Sequence, residues 1–153
     1  MNALENKIPP PLVALAFALL MWWISRISPA VDISFNYRIS ASTILFITGL
    51  LFCLFGVVSF RRAKTTVNPL TPEAATSLVI SGVYRISRNP MYVGFAFFLL
   101  AFSIYLSAPL STIGIVGFIW YMNRFQIKPE EKALEKIFGI EFSDYMQRVN
   151  RWL

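Results

Sequence analysis

The chain has no histidine among its 153 residues, and it has a single cysteine, Cys53. Histidine is the commonest general base near neutral pH, a frequent metal ligand and the usual axial ligand of haem, so these uses of imidazole are excluded. One cysteine excludes an intrachain disulfide and a thiolate metal cluster. We therefore predict no metal site, and any catalysis has to proceed without imidazole.

Charge is scarce as well. Asp, Glu, Lys and Arg make up 14% of the residues, whereas soluble domains have about 25%. Hydrophobic residues make up 56% and aromatic residues 16%, which predicts an integral membrane protein. A spanning helix needs about 20 mostly apolar residues, and the charge-free windows predict four spans, near residues 9–25, 40–60, 91–106 and 109–123.

The net charge of +6 comes from 14 Lys and Arg against 8 Asp and Glu. A basic membrane protein normally carries this excess in its cytoplasmic loops, and Arg61, Arg62 and Lys64 directly follow the second predicted span. We therefore expect the loop 61–90 and both termini to be cytosolic, in the bacterial inner membrane or, as the alternative, an endomembrane. Nucleic acid explains the charge poorly, so we expect no nucleic-acid partner.

The long apolar window after Asn89 is interrupted at residues 107–109, where the sequence is Ser-Ala-Pro. Because proline disfavours helix in the residue before it, we predict a helical hairpin with arms 91–106 and 109–123. Both ends of this hairpin return to the cytosol, which brings the loop before it close to the segment after it. The fold class is then an all-α integral membrane protein with about four transmembrane helices, forming one domain over residues 1–153.

Residues 124–153 predict a cytosolic helical tail. Pro129 suits a first helical position, Glu130 and Glu131 fall in the first turn, and Gly139 can end the helix in a left-handed conformation. A second helix with one apolar face follows. The carboxylates thus lie close to the segment that leaves the last predicted span.

Polar, aromatic and backbone-bending residues stand at the mouth of the third predicted span, in the sequence Arg-Asn-Pro-Met-Tyr-Val-Gly at 88–94. Residues 77–84 precede this stretch, and Pro-Glu-Glu at 129–131 opens the tail. The predicted hairpin brings the three patches to one membrane face. We expect the chemistry of the protein there.

These residues follow an ordered pattern with defined spacing. The pattern Leu-Val-x-x-Gly-x-Tyr-x-x-x-Arg-His/Asn-Pro-x-Tyr-x-Gly is met by Leu78, Val79, Gly82, Tyr84, Arg88, Asn89, Pro90, Tyr92 and Gly94. A second part is met in the tail by Arg124, Glu130, Glu131, Phe138, Gly139, Tyr145, Arg148 and Val149. Over roughly residues 64–153 the chain resembles the isoprenylcysteine carboxyl methyltransferase family, with its bacterial relatives and the phospholipid methyltransferases.

The resemblance implies S-adenosylmethionine as cofactor, bound without a nucleotide-binding sheet. The chain has no Gly-x-Gly-x-x-Gly fingerprint, which agrees with that expectation. The cofactor would sit between the loop and the tail. Its implied binding residues are Val79, Gly82, Tyr84, Arg88, Asn89, Pro90, Tyr92, Glu130 and Glu131.

The chemistry of this donor suggests a role for each residue type. Carboxylates such as Glu130 and Glu131 accept hydrogen bonds from an ammonium or a ribose, and Arg88 and Asn89 donate to a carboxylate. Tyr84, like Tyr92, offers a ring face to a cation or to adenine. Many family members have histidine in place of Asn89, and an asparagine amide donates a hydrogen bond but moves no proton.

The implied acceptor is an amphiphilic or lipid-like molecule that enters from the bilayer. A carboxylate acceptor needs no general base, whereas an amine must lose a proton, which Glu or Tyr can take; a phenol is the third possibility. By analogy with the family, Arg124 and Arg148 are the catalytic candidates that orient an anionic acceptor. The oligomeric state is open.

Other interpretations compete with this one. Arg88 alone could anchor a span at the headgroups, and Glu130 and Glu131 alone could complement a helix dipole. At the level of function, the alternatives are a nicotinamide-dependent membrane reductase of the sterol-reductase type, a small four-span transporter and a scaffold without catalysis. A transporter usually places an acid within a span, and the four predicted spans contain none.

Overall fold

The structure, a computed structural model, describes residues 7–63 and 76–153, and all regular secondary structure within these ranges is helical. The described residues form six α-helices: α1 (Pro10–Ile27), α2 (Phe35–Arg62), α3 (Pro90–Leu106), α4 (Ile113–Tyr121), α5 (Lys128–Phe138) and α6 (Ile140–Arg148). The predicted all-α class is confirmed. Lys64 and the 64–75 part of the predicted cytosolic loop lie outside the described residues.

Two of these helices, α1 and α2, are long and apolar enough to cross a membrane by length and composition. The most apolar 18-residue windows have mean hydropathies of 1.6 and 2.4, and only 17% of each window is buried. A core helix of a soluble protein would be mostly buried, so this exposed apolar surface indicates helices that face lipid. At 28 residues, α2 is longer than the predicted span 40–60, because its more polar first turn lies ahead of the apolar window.

The other two predicted spans correspond to shorter helices, since α3 has 17 residues and α4 has nine. Between them, Ser107 ends α3 in the left-handed conformation with φ 52°, and Ala108 is extended before Pro109. A 3-10 turn over Pro109–Thr112 then leads into α4. The interruption predicted at 107–109 is confirmed, and α3 and α4 contact each other beyond it.

The chain stays helical between α4 and α5, which the sequence pattern did not predict. A π-helical turn over Met122–Ile127 joins the two helices, and the Lys128 N–H donates to the Asn123 carbonyl. Pro129 explains the wider turn, because its ring has no N–H to donate and would clash with the carbonyl four residues earlier. Gly139 ends α5 with a positive φ of 53°, although its ψ of −122° lies outside the left-handed helical region.

Helix α3 is at the centre of the packing, where it contacts α1, α2 and α4. The interface with α2 is close because glycines face each other there: a Cβ added at Gly94 would lie 2.7 Å from the Gly49 carbonyl oxygen. Small residues allow such approach between helices in membranes. The main buried cluster joins α1, α3, α4 and the π-helical turn, and consists of Val13, Met21, Tyr92, Leu99, Phe118, Met122 and Ile127.

Candidate functional site

The loop before α3 packs against the end of the chain. A 3-10 turn over Gly82–Arg85 begins at Gly82, whose φ of 62° favours glycine. The ring of Tyr84 is buried, with its centroid 5.4 Å from that of Phe60. The Tyr84 carbonyl accepts a 2.7 Å hydrogen bond from the hydroxyl of Tyr145 in α6. The predicted convergence of loop and tail is therefore present in the structure.

Arg88 makes most of the polar contacts between this loop and the tail. Its Nη1 donates to the carbonyl oxygens of Met146, at 2.9 Å, and Val149, at 3.0 Å. Its Nη2 lies 2.7 Å from Oε1 of Glu131, and its backbone N–H donates to the Asn150 carbonyl. The Arg88 side chain is 11% exposed and the Glu131 side chain 15% exposed, so this is a largely desolvated ion pair rather than a surface contact.

A second guanidinium, that of Arg151, completes this group. Its Nε donates to Oε1 of Glu131 at 3.0 Å and its Nη2 to Oε2 at 2.5 Å, which is the two-pronged geometry favoured by arginine and carboxylate. The hydrogen bond to Glu131 is the main cause that raises the pKa of Arg151. We call Arg88, Glu131 and Arg151 the arginine–glutamate cluster. The sequence analysis did not identify Arg151 as a partner of Glu131.

Asn89 also binds the end of the chain. It precedes the first residue of α3, and its Nδ2 donates to the Arg151 carbonyl at 2.9 Å. Its backbone N–H donates to Oγ of the fully buried Ser87, which in turn donates to the same Arg151 carbonyl at 3.4 Å. The Asn89 amide thus acts as a donor that positions the tail. Histidine chemistry is not needed for this contact.

Glu130 has surroundings quite different from those of its neighbour. Its Oε1 accepts hydrogen bonds from the Tyr92 hydroxyl at 2.5 Å and from Nε2 of Gln126 at 2.7 Å. Desolvation raises the pKa of Glu130 to about 7, although the two hydrogen bonds lower it, and nearby Glu131 adds a smaller rise. One carboxylate is ion-paired and the other titrates near neutral pH. The two predicted cofactor residues are therefore chemically distinct.

The remaining predicted residues fall into two groups. Val79, in the loop, and Pro90, the first residue of α3, are both buried. Arg124 and Arg148 are exposed, and their described contacts are local: Arg124 lies 5.9 Å from the Phe125 ring centroid, and Nε of Arg148 donates to a carbonyl of its own helix. Their orientation of an acceptor stays a prediction.

Comparison with known proteins adds independent information. The phospholipid methyltransferase family model matches residues 37–141. A probable protein-S-isoprenylcysteine O-methyltransferase of Oryza sativa subsp. japonica is 34% identical over 97 residues, which are 63% of this chain and 51% of the rice protein. Protein-S-isoprenylcysteine O-methyltransferase B of Arabidopsis thaliana is 28% identical over 128 residues, 84% of this chain and 58% of the relative.

A human relative, protein-S-isoprenylcysteine O-methyltransferase, is 31% identical over 114 residues, which are 70% of this chain and 40% of the human protein. The chain thus spans about half the length of the curated relatives it matches. The matched region includes α3, the π-helical turn and α5. It therefore contains every residue of the candidate site except those at the end of the tail.

We predict that Glu131→Gln releases the end of the chain. The substitution leaves two guanidiniums without their carboxylate, and breaking a buried pair costs about 3 kcal/mol of unfolding free energy. Thermal unfolding in detergent and carboxypeptidase release of Leu153 measure the effect. Glu135→Gln, on the exposed side of α5, is the matched control. Equal behaviour of the two variants would contradict the role of the cluster.

Glu130 gives the protein a specific pH dependence. Because its pKa rises from 4.5 to about 7 on folding, the folded protein retains a proton that the unfolded chain releases between these values. Stability therefore falls as pH rises from about 4.5 to about 7, by up to about 3 kcal/mol. We expect Glu130→Gln to flatten this part of the profile measured by thermal unfolding. Glu135→Gln should retain it, and an unchanged profile in Glu130→Gln would refute the assignment.

Proposed function

Since the chain belongs to the phospholipid methyltransferase family, we propose that it is an integral membrane methyltransferase that transfers a methyl group from S-adenosylmethionine to an amphiphilic, lipid-like acceptor. The family resemblance inferred from the sequence is confirmed by the match over residues 37–141 and by the methyltransferase relatives. The activity itself, the donor and the acceptor class are our proposal for this chain.

One observation carries the proposal: two polar contacts join the start of α3 to the first turn of α5. Arg88 meets Glu131 at 2.7 Å, and Tyr92 meets Glu130 at 2.5 Å. These contacts build a polar site at the end of an apolar helix. Such a position suits a reaction between a water-soluble donor and an acceptor held in lipid, because each can reach the site from its own phase.

The residues present fit the donor. Nε of Arg88 is buried and has no hydrogen-bond partner among the described residues, and a carboxylate is the partner that a guanidinium suits best. Arg88 and Asn89 would hold the amino-acid carboxylate, and Glu130 or Glu131 would hold the ammonium or the ribose. The rings of Tyr84 and Tyr92 would face the cation or the adenine, with Val79 and Gly82 at the adenine edge and Pro90 fixing the start of α3.

The donor supplies, when bound, an electrophilic methyl group on a sulfonium. The protein's own contribution is to align the acceptor and to exclude water, and neither task needs a covalent intermediate. The Glu130 carboxylate, with a pKa of about 7, suits an acceptor that has to lose a proton, such as an amine or a phenol. A carboxylate acceptor needs no such base. Arg124 and Arg148 are proposed to orient an anionic acceptor from the rim of the site.

We propose a single four-span domain over residues 1–153, in which α1 and α2 are the first two crossings and the hairpin of α3 and α4 supplies the other two. Arg61 and Arg62 end α2, and Arg88 lies two residues before α3, so the basic residues favour a cytosolic loop 61–90. The tail 124–153 and both termini would lie on the same side. The bacterial inner membrane is the proposed location, and an endomembrane is the alternative.

The alternative functions receive less support. The relatives compared above carry methyltransferase names, which does not favour a nicotinamide-dependent reductase. Helices α1 to α4 contain no Asp or Glu, whereas an ion-coupled transporter normally needs an acid within the membrane. Methyl transfer is thus the function that the polar site and the family match support together.

We predict that the full chain, purified in detergent, binds S-adenosylmethionine in titration calorimetry. Glu130→Gln retains groups for the hydrogen bonds with Tyr92 and Gln126 but removes a negative charge. We therefore expect its affinity for the donor to fall about tenfold, as for the loss of a charge-assisted hydrogen bond. Glu135→Gln should bind as the unmodified chain does.

The same titration has a clear adverse outcome. If folded protein, verified by its thermal unfolding transition, bound neither S-adenosylmethionine nor the demethylated product at millimolar concentration, the donor assignment would be wrong. Protection against heat by a nicotinamide cofactor instead would favour the reductase.

A further inference from the structure

An apolar groove lies between α2 and α3 at the end remote from the arginine–glutamate cluster. Its volume is about 340 Å³, which lies within the range of small-molecule sites, about 300–1,000 Å³. The side chains that line it come from the first turns of α2 and the second half of α3: Ile39, Ser42, Thr43, Phe46, Phe98, Ala101, Phe102 and Tyr105. Its lining residues on α3 lie eight to 15 residues after Pro90, about 12 to 22 Å along the helix, so this groove is distinct from the candidate methyl-transfer site.

A positive charge lies beside the groove, against the ring of Tyr105, which is one of its lining residues. The guanidinium carbon of Arg38 is 5.6 Å from the ring centroid of Tyr105, and Nη1 donates to Oγ of Ser107 at 3.2 Å. Nε of Arg38 is buried and has no hydrogen-bond partner among the described residues. A buried donor without a partner is costly, and neither the Ser107 hydroxyl nor the Tyr105 ring brings a carboxylate to the guanidinium.

Ser42 supplies a second polar atom without a partner, one helical turn from Arg38 and on the same face of α2. Its Oγ is buried and unpaired in the described part of the chain. Thr48 and Ser59 in the same helix instead donate to the carbonyl four residues earlier. A hydroxyl that leaves this local bond unmade and lines a groove suits a ligand that accepts a hydrogen bond there.

The protein provides no anion for this charge within residues 7–63 and 76–153. The two ion pairs found there both use Glu131. Asp32 lies in the linker that precedes α2, and its neighbour Val31 donates its N–H to the carbonyl of Ser107, whose hydroxyl contacts Arg38. Asp32 is nevertheless exposed and is in neither of these ion pairs. The site therefore combines an uncompensated cation, an unpaired hydroxyl and an apolar groove.

We propose that this groove binds one acyl chain of an anionic phospholipid, with the lipid phosphate on Arg38 and Ser42. Charge complementarity selects the phosphate, and the exposed apolar walls select the chain. The lipid would belong to the leaflet opposite the candidate methyl-transfer site, so its binding does not depend on the proposed methyltransferase activity. If Arg38 only extended to the lipid headgroups, the preference for anionic lipid would not depend on the side chains of this groove.

The test is a titration of the detergent-purified full chain with dioleoyl phosphatidylglycerol or dioleoyl phosphatidylcholine, followed by native mass spectrometry. We expect the anionic lipid to bind about tenfold more tightly, as for a charge-assisted hydrogen bond. Arg38→Gln should abolish this preference. Arg26→Gln removes the same charge from an exposed position at the end of α1 and should leave the preference intact. Equal losses in the two variants would overturn the proposal.

Two further variants test whether the groove holds an acyl chain. Thr43→Phe places a ring in the groove and should weaken the binding of both lipids, whereas Ile44→Phe, on an exposed position outside the groove, should not. Ser42→Ala is the second test of the phosphate contact and should reduce the preference severalfold if Arg38→Gln fails to fold. Binding of glycerol phosphate as tight as that of phosphatidylglycerol, or equal effects of Thr43→Phe and Ile44→Phe, would rule out the bound chain.

Discussion

The arrangement of the site depends on the two ion pairs that the Glu131 carboxylate makes with the guanidiniums of Arg88 and Arg151. A largely buried carboxylate is costly unless cations and hydrogen bonds compensate it, and Arg88 and Arg151 supply both. Because Arg88 precedes α3 and Arg151 follows α6, this one side chain fastens the end of the protein to the loop before α3. The contacts of Asn89 with the Arg151 carbonyl and of Tyr145 with the Tyr84 carbonyl belong to the same closure.

Glu130 does not take part in these ion pairs, and its surroundings differ from those of Glu131. Adjacent residues on a helix point about 100° apart, so Glu131 faces the guanidiniums while Glu130 faces Tyr92 and Gln126. The Glu131 carboxylate is ion-paired with both arginines. The other, with a pKa of about 7, is the group that can respond to a ligand's charge or to a proton.

The helices and the convergence of loop and tail could be predicted from the sequence, because they depend on local patterns of apolar residues and proline. Apolar windows predicted the helices, Pro109 predicted the break after Ser107, and the hairpin predicted that loop and tail converge. Arg151 was missed because the family pattern ends at Val149. Because α6 ends at Arg148 and Val149 is extended, helical periodicity does not indicate that Arg151 faces Glu131. The π-helical turn was missed because Pro129 was interpreted as a helix start, without its effect on the preceding turn. The Nε atom of Arg38 and the Oγ atom of Ser42, which have no hydrogen-bond partner among the described residues, depend on packing that no sequence pattern specifies.

The polar site at the start of α3 is proposed to move a methyl group from a soluble donor to a molecule in the bilayer. Incubation of the purified full chain with methyl-labelled S-adenosylmethionine and total membrane lipid tests it most directly. We expect label in the organic phase, with much less for Glu130→Gln than for Glu135→Gln. Release of that label by mild base would identify a methyl ester, and its retention an amine or a phenol ether. Folded protein that binds the donor yet transfers no label to any lipid fraction would contradict the account.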